Sequence, residues 1–436
     1  MRVVAVLAVV AVAGAVAQAP TNAAESLAPN KGRPGAPPSG PPLGVVRTSA
    51  GPQLSRLDPL TLEPVGSKAD LGRSVTTWAF MPGGGRLVVG SDRAVVRFVD
   101  VSEMRVLGDV ALAEQGRVTM LAWLWPKYVI AVYARRGHAA EVAWIDPVAR
   151  RVVQRRALDV MPWTLAQGWN EVALLLAPLR SIGGARVAIA DDKWRLRIVR
   201  VSRIEIGSDV PLRLRRDGFR RIAPGLALDP TLRRVYVAGT GGITAEIELS
   251  SLAVSYHSHE HRRTISAATA RTKTIEGADL RATWVTNGVI AVSGTRYTVT
   301  RNGTHTRQTS APAGLQLLDT RRWTQRMLDE RASGFTLAGD TILAVGLRAS
   351  SGGEAWTYSG MGVAAFGVDG TRRFGILEDD AFWSVQATAT HAYAWRYATS
   401  SPSHIAVVDL RSATVEQDLV ATQTPRLLLG EPPYVY

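Results

Sequence analysis

Apolar strands that end on aspartate recur along this chain, each followed by a short polar turn and a second apolar strand. The pattern reads RLDPLTLEPV around Asp58, FVDVSEMRVL around Asp100, WIDPVARRVV around Asp146, LLDTRRWTQRML around Asp319, FGVDGTRRFGI around Asp369 and VVDLRSATV around Asp409. Two weaker copies, IADDKWRLRI at Asp191 and IELSSLAVS near Leu249, fall between them. From copy to copy the step runs from 40 to 70 residues. A period of this size built from strands predicts an all-β fold, a β-propeller of four-stranded blades. The hairpin count gives eight blades, with seven as the alternative.

Each unit divides into strands A to D. In the first full unit these are TTWAF, RLVVG, AVVRFVD and MRVLGDVAL; the next repeats them as TMLAWLW, YVIAVY, EVAWID and RRVVQRRAL. The apolar/polar alternation is incomplete, as it is for strands covered on both faces by neighbouring sheets. Residues 43–65 offer the later strands of a blade without its A strand, and PRLLL at 425–429 offers an A strand without its hairpin. Joining the two closes the ring and removes an exposed sheet edge. The propeller domain is therefore expected over 43–436.

The copies VVDLRSATVEQDL at 407–419 and ALDPTLRRVYVAG at 227–239 resemble the YVTN-type and quinoprotein-type propeller repeats of bacterial exported proteins. That resemblance implies a structural scaffold. The Thr-Gly-Lys and Trp parts of the quinoprotein blade motif are missing at all six clear Asp copies, so no cofactor is expected.

The termini change the picture. VVAVLAVVAVAGAVA at 3–17 follows Arg2 and precedes small residues. It is shorter than the ~20 apolar residues a bilayer span needs and reads as a signal peptide over 1–24. Residues 25–42 contain PNKGRPGAPPSGPP and read as a Pro/Gly-rich linker. These features predict a secreted or cell-envelope protein, periplasmic where the cell has an outer membrane, with no membrane span once the signal is removed. The chain has no cysteine, which excludes disulfides, thiol catalysis and lipid attachment through Cys.

The formal charge is +14, with 46 arginines against 5 lysines. Arginine pairs gather at the C–D turns of the lower face, beside the repeat aspartates, and read as a mixed-charge surface. A denser run, RLRIVRVSR then RLRRDGFRR, lies between Arg195 and Arg221 and reads as an exposed outer strand. It lacks the interleaved aromatics of a nucleic-acid platform. Nucleic acid is not an expected partner; weak attraction to anionic polymers is.

Length variation falls on the opposite, upper face. Ser293–Ala311, Arg348–Gly360 and Tyr397–Ser403 are expected as long B–C loops on three successive blades, where binding function commonly sits. They offer Arg296, Tyr297, His305, Trp356, Tyr358 and Tyr397 as ligand-binding residues, the aromatic-plus-arginine composition of contact hot spots. A second candidate is His257, His259 and His261 as metal ligands, since alternate residues of a strand share a face. Three imidazoles on one straight strand spread over ~13 Å, too far for a single ion. No complete catalytic motif is present: there is no GxSxG and no HExxH. Glu378, Asp379 and Asp380 form an acidic cluster, but adjacent strand residues point apart. The expectation is a monomeric, non-catalytic exported binding propeller whose partner is an extracellular protein, a glycan or an anionic wall polymer. The alternative is a propeller enzyme of the lactonase, lyase or quinoprotein class, with its site at the channel mouth.

Overall fold

The computed structural model describes residues 40–429, apart from 73, 82–84, 125–127, 136–139, 169, 177–178, 183–184, 189–193, 201–204, 215–218, 240–241, 259–271, 303–304, 352–355, 398–403 and 421–426. The expected signal peptide and residues 25–39 of the linker lie outside the described residues.

The first complete repeat forms a four-stranded antiparallel sheet of Val75–Phe80, Arg86–Ser91, Val95–Asp100 and Arg105–Ala111, in sequence order. The 116–158, 225–258 and 382–420 segments do the same. In the first three of these sheets the first two strands are buried over most of their length. The fourth strand faces water: in the first sheet Arg86–Ser91 has a single half-buried position, whereas Arg105–Ala111 has a single buried one. Successive sheets pack face to face, which is why inner strands lack strict alternation. Trp123 of one sheet meets Phe98 of the preceding one edge-on, with ring centroids 6.0 Å apart, in a cluster that includes Val88, Val96, Tyr133 and Ile145. These stacked four-stranded sheets are β-propeller architecture.

The repeat aspartates build one turn many times over. Oδ1 of Asp100 accepts the backbone N–H groups of Ser102 and Glu103. Asp58, Asp146, Asp319 and Asp409 do the same with the residues two and three positions on. The residue four positions on enters the left-handed region: Leu62, Met104, Arg150, Trp323 and Ala413 have φ between 49° and 57°. Such a conformation costs a non-glycine residue of the order of 1 kcal/mol, and the carboxylate offsets it by satisfying the turn's donors. The weak copy near Leu249 keeps the geometry with Glu248 in the aspartate position: Leu252 has φ 58° and its N–H donates to the Glu248 carbonyl.

The other weak copy is different. Asp191 was expected at a C–D turn, but the third strand of that sheet is Arg195–Arg200, paired antiparallel with Glu171–Leu176. Asp191 therefore precedes the C strand and lies outside the described residues. The first part of the arginine-rich segment, Arg195–Arg200, is also not an outer strand. Leu196 and Ile198 are fully buried, and Glu205–Ile206 and Val210–Pro211 pair along its far side. Phe219–Ala223, at the other end of the segment, is the edge strand of another sheet.

The carboxyls of Asp58, Asp369 and Asp409 are held below the ordinary aspartate range, chiefly by backbone N–H donors, and that of Asp100 chiefly by the Ser102 hydroxyl. A depressed folded-state value gives stability that is fully present above the unfolded value of about 4 and is lost as pH falls through the folded one. The urea midpoint of the wild type is thus expected to fall below about pH 4, and to fall less steeply in Asp409→Asn, which keeps an acceptor but cannot titrate. Equal slopes in the two proteins would contradict this account of the turns.

The chain ends meet. Gly44 and Val45 pair antiparallel with Leu428 and Leu427, so the C-terminal strand forms the inner strand of the sheet that holds Leu43–Thr48, Gly51–Leu57 and Pro64–Asp70. Leu428 packs with Leu57, Tyr393, Ile405 and Val407 on one side. Its neighbour Leu429 packs with Leu54, Leu71, Trp78 and Phe80 on the other.

Candidate functional site

Two of the three expected upper loops are strands. Val289–Asn302 and His305–Pro312 form a hairpin, and Thr341–Ser351 with Trp356–Gly367 forms a second. Both rise beyond the sheets in which they begin. Val289–Asn302 pairs with Leu315–Asp319 as far as Val292, then with His305–Pro312 from Thr295 onward. The change of partner falls at Gly294, where φ is +156° and a Cβ would stand 2.0 Å from the Asp279 carbonyl oxygen. No side chain fits there. Gly362 marks the equivalent point of the second hairpin, with φ +71° and a Cβ position 2.1 Å from the Ile376 carbonyl oxygen.

Pairing of Thr309 with Ser350 and of Ser310 with Ala349 zips the two hairpins together. On the far side Phe219–Ala223 runs parallel to Thr272–Thr286. The product is a raised sheet on the upper face, continuous with the sheets below, in place of separate flexible loops.

Its register sorts the candidate residues. Tyr297 pairs with Ser310, Ser310 with Ala349 and Ala349 with Tyr358. Directly paired residues share a face, so two tyrosines stand on one face with only Ser and Ala between them, three strand spacings or about 14 Å apart. Tyr397 joins from the 382–420 sheet. Its ring lies 4.2 Å from that of Tyr358, and its hydroxyl donates to the Tyr358 hydroxyl at 3.0 Å. Burial, then this contact with Tyr397, pushes the Tyr358 phenol up to about 12.

Arg296 precedes Tyr297 and so takes the opposite face. There it lines a cleft against the 225–258 sheet with Thr244, Leu280, Ser293, Gln316 and Gln325. The structure thus brings Tyr297, Tyr358 and Tyr397 together and separates Arg296 from them. His305 pairs with Asn302 and Trp356 with Ser351; their side chains, and residues 398–403 of the third expected loop, lie outside the described residues.

The histidine motif is represented by His257 alone, as His259 and His261 lie outside the described residues. His257 Nε2 is 2.9 Å from Glu246 Oε2, and its ring stacks on Trp323 with centroids 3.4 Å apart and planes 9° from parallel. Arg234 holds the other oxygen of Glu246. This imidazole is committed to packing against Trp323 and a hydrogen bond with Glu246.

Several other charged groups are paired in a similar way. Arg195 and Arg197 both bind Asp159 and Asp209. Arg372 meets Glu378 at 2.6 Å, and Arg396 meets Asp380 at 2.8 Å, so the acidic cluster at 378–380 is bound up with arginine. Arg373 pairs with Asp340 and Arg233 with Glu171 on the lower face, consistent with a mixed-charge surface.

No family model matches this sequence, and no curated protein matches it. Among solved structures, the chain is similar to hydrazine synthase of Kuenenia stuttgartiensis at 14% identity, over 48% of this chain and 61% of that one, with a TM-score of 0.35. The chain therefore spans about 61% of that neighbour's length. It is similar to the computationally designed Ika8 protein at 12% identity, over 79% and 86% of the two chains, with a TM-score of 0.46. Dihydro-heme d1 dehydrogenase NirN, in complex with DHE, matches at 14% identity over 97% and 78%, with a TM-score of 0.48. At such identities and with TM-scores under 0.5, none of the three assigns an activity to this chain.

Proposed function

We propose that the protein is an exported, non-catalytic binding propeller of eight blades, its last blade completed by both chain ends, and that it takes its partner on the raised sheet of the upper face. The single domain begins after a signal peptide and a Pro/Gly-rich linker, and the protein acts as a monomer. The observation that carries the reading is the paired row Tyr297–Ser310–Ala349–Tyr358, extended by Tyr397 against Tyr358. Two aromatic rails about 14 Å apart over a floor of small side chains suit an extended ligand such as a glycan chain or a peptide strand. Tyrosine supplies wide contact area at low rotamer cost. A sheet backbone holds these rings more firmly than loops do, which reduces the ordering cost of binding.

The test is a capture assay from the cell exterior, combined with a glycan array, using Tyr297→Ala/Tyr358→Ala/Tyr397→Ala. Binding is expected to weaken at least about tenfold, while melting stays cooperative. Arg321→Ala/Arg322→Ala on the lower face should bind as the wild type does. If the tyrosine variant binds normally and the arginine variant does not, the binding face is the lower one.

A further inference from the structure

Three potential metal ligands converge at the lower rim of the 382–420 sheet, far along the chain from the histidine motif. His391 opens the second strand, Asp409 ends the third, and Glu416 lies in the fourth. His391 and Asp409 are direct register partners. Glu416 falls where the pairing of the third and fourth strands shifts register, between the Val408–Val415 and Val407–Gln417 pairs. A ligand atom of each residue lies within 4.8 Å of the other two.

The ring is already oriented. His391 Nε2 is 3.0 Å from Glu416 Oε2, and Nδ1 is 2.8 Å from the Thr390 hydroxyl. A hydrogen bond to the second ring nitrogen is the usual outer-shell partner of a metal-bound histidine. The His391 side chain is 13% exposed and that of Glu416 35%, so the site opens to solvent on one side. Asp409 is fixed by its turn, since Oδ1 accepts the N–H groups of Arg411 and Ser412.

The same corner is the seam between the last sheet and the first. Tyr393 Oη donates to the Pro59 carbonyl at 3.1 Å, across 334 residues of chain. One imidazole and two carboxylates meet at this corner, on a chain of formal charge +14.

We propose that His391, Asp409 and Glu416 bind a divalent transition-metal ion, zinc in preference to calcium, which clamps the seam where the ring closes. One nitrogen and two carboxylate oxygens, with water in the remaining position, make a donor set that zinc accepts at about 2.0–2.2 Å. Imidazole selects against calcium. Bringing the ligand atoms to the roughly 3.4 Å separation of a tetrahedral site requires side-chain rotation only, because the three strands are already in register.

Isothermal titration of the full chain with zinc chloride, then manganese and calcium chlorides, tests this directly. The expected result is one saturable zinc site per chain, calcium binding more weakly, and a melting midpoint raised by zinc. His391→Gln and the solvent-side variant Glu416→Gln should each weaken zinc at least about tenfold and abolish the thermal shift, while His257→Gln leaves both unchanged. Absence of saturable zinc binding to the wild type, undiminished binding in His391→Gln, or calcium binding more tightly than zinc would overturn the proposal.

Discussion

Replacing Asp229 with alanine is expected to cost about 3–5 kcal/mol of folding stability, far more than the same change at the other turn aspartates. Asp229 ends the first strand of the 225–258 sheet, where it builds the same kind of turn between A and B strands. It is fully buried, whereas Asp58, Asp100, Asp146, Asp319 and Asp409 meet water. Oδ1 accepts the N–H groups of Thr231 and Leu232 and the Thr231 hydroxyl, while Oδ2 accepts Gly288 N–H at 2.8 Å from the following sheet. The Gly288 carbonyl in turn accepts from Thr320, through both its backbone and its hydroxyl. One carboxylate therefore ties two sheets together, and the Gly288 N–H that it holds is buried away from water. Alanine strands the buried Gly288 N–H, at about 1–3 kcal/mol, and removes the acceptor of two half-buried turn N–H groups, at about 0.5–1.5 kcal/mol each. Asparagine keeps one acceptor and sets an amide N–H₂ against a donor, so it should fall between alanine and wild type. Urea unfolding of Asp229→Ala, Asp229→Asn and Asp409→Ala checks the order. A loss at Asp229 no larger than that at Asp409 would contradict the bridging role.

Deleting residues 425–436 should abolish cooperative melting and expose the protein to aggregation. The deletion removes Leu428 and Leu429, which are 4% and 2% exposed and belong to different inter-sheet clusters. Each buried leucine contributes about 2 kcal/mol of transfer free energy. The larger effect is topological, because Leu43–Thr48 becomes an open edge whose backbone groups lose their partners. An unchanged melting curve would show that the C-terminal strand does not complete the first sheet.

The repeating turn was legible because it makes much the same chemical demand each time. At Asp58, Asp100, Asp146, Asp319 and Asp409 the carboxylate faces two N–H groups and a left-handed residue follows four positions on, whereas Asp369 turns through Gly370; short loops keep these residues adjacent in sequence. The closing strand was legible for a related reason: residues 43–65 lacked an inner strand and the C-terminus supplied an unclaimed one. The raised sheet was misread as loops because polar side chains fill it. The signal that would have found it is nonetheless present. TRYTVTRN and THTRQTSA are rich in β-branched residues, and Asn302-Gly303 between them is a strong hairpin-turn dipeptide. The Tyr297–Tyr358 row depends on the pairing of Ser310 with Ala349 between two separate hairpins, and no local pattern encodes that register. His391, Asp409 and Glu416 come from three different strands and were equally invisible. The cluster at His257 drew notice for its density, yet its one described member is packed against Trp323.

The most direct test of the ring uses the absence of cysteine from the chain. Val45→Cys and Leu427→Cys together place the only two thiols at a pair that the structure sets directly opposite one another across the join of the two chain ends. Cα partners of an antiparallel pair stand about 4.5–5.5 Å apart, within the range a disulfide spans. Under mild oxidation the folded double variant is expected to form one intramolecular disulfide, seen as a faster band on non-reducing electrophoresis and as two thiols lost to alkylation, whereas each single variant keeps its thiol. Two freely alkylated thiols in the folded, oxidised double variant would contradict closure of the ring by its two ends.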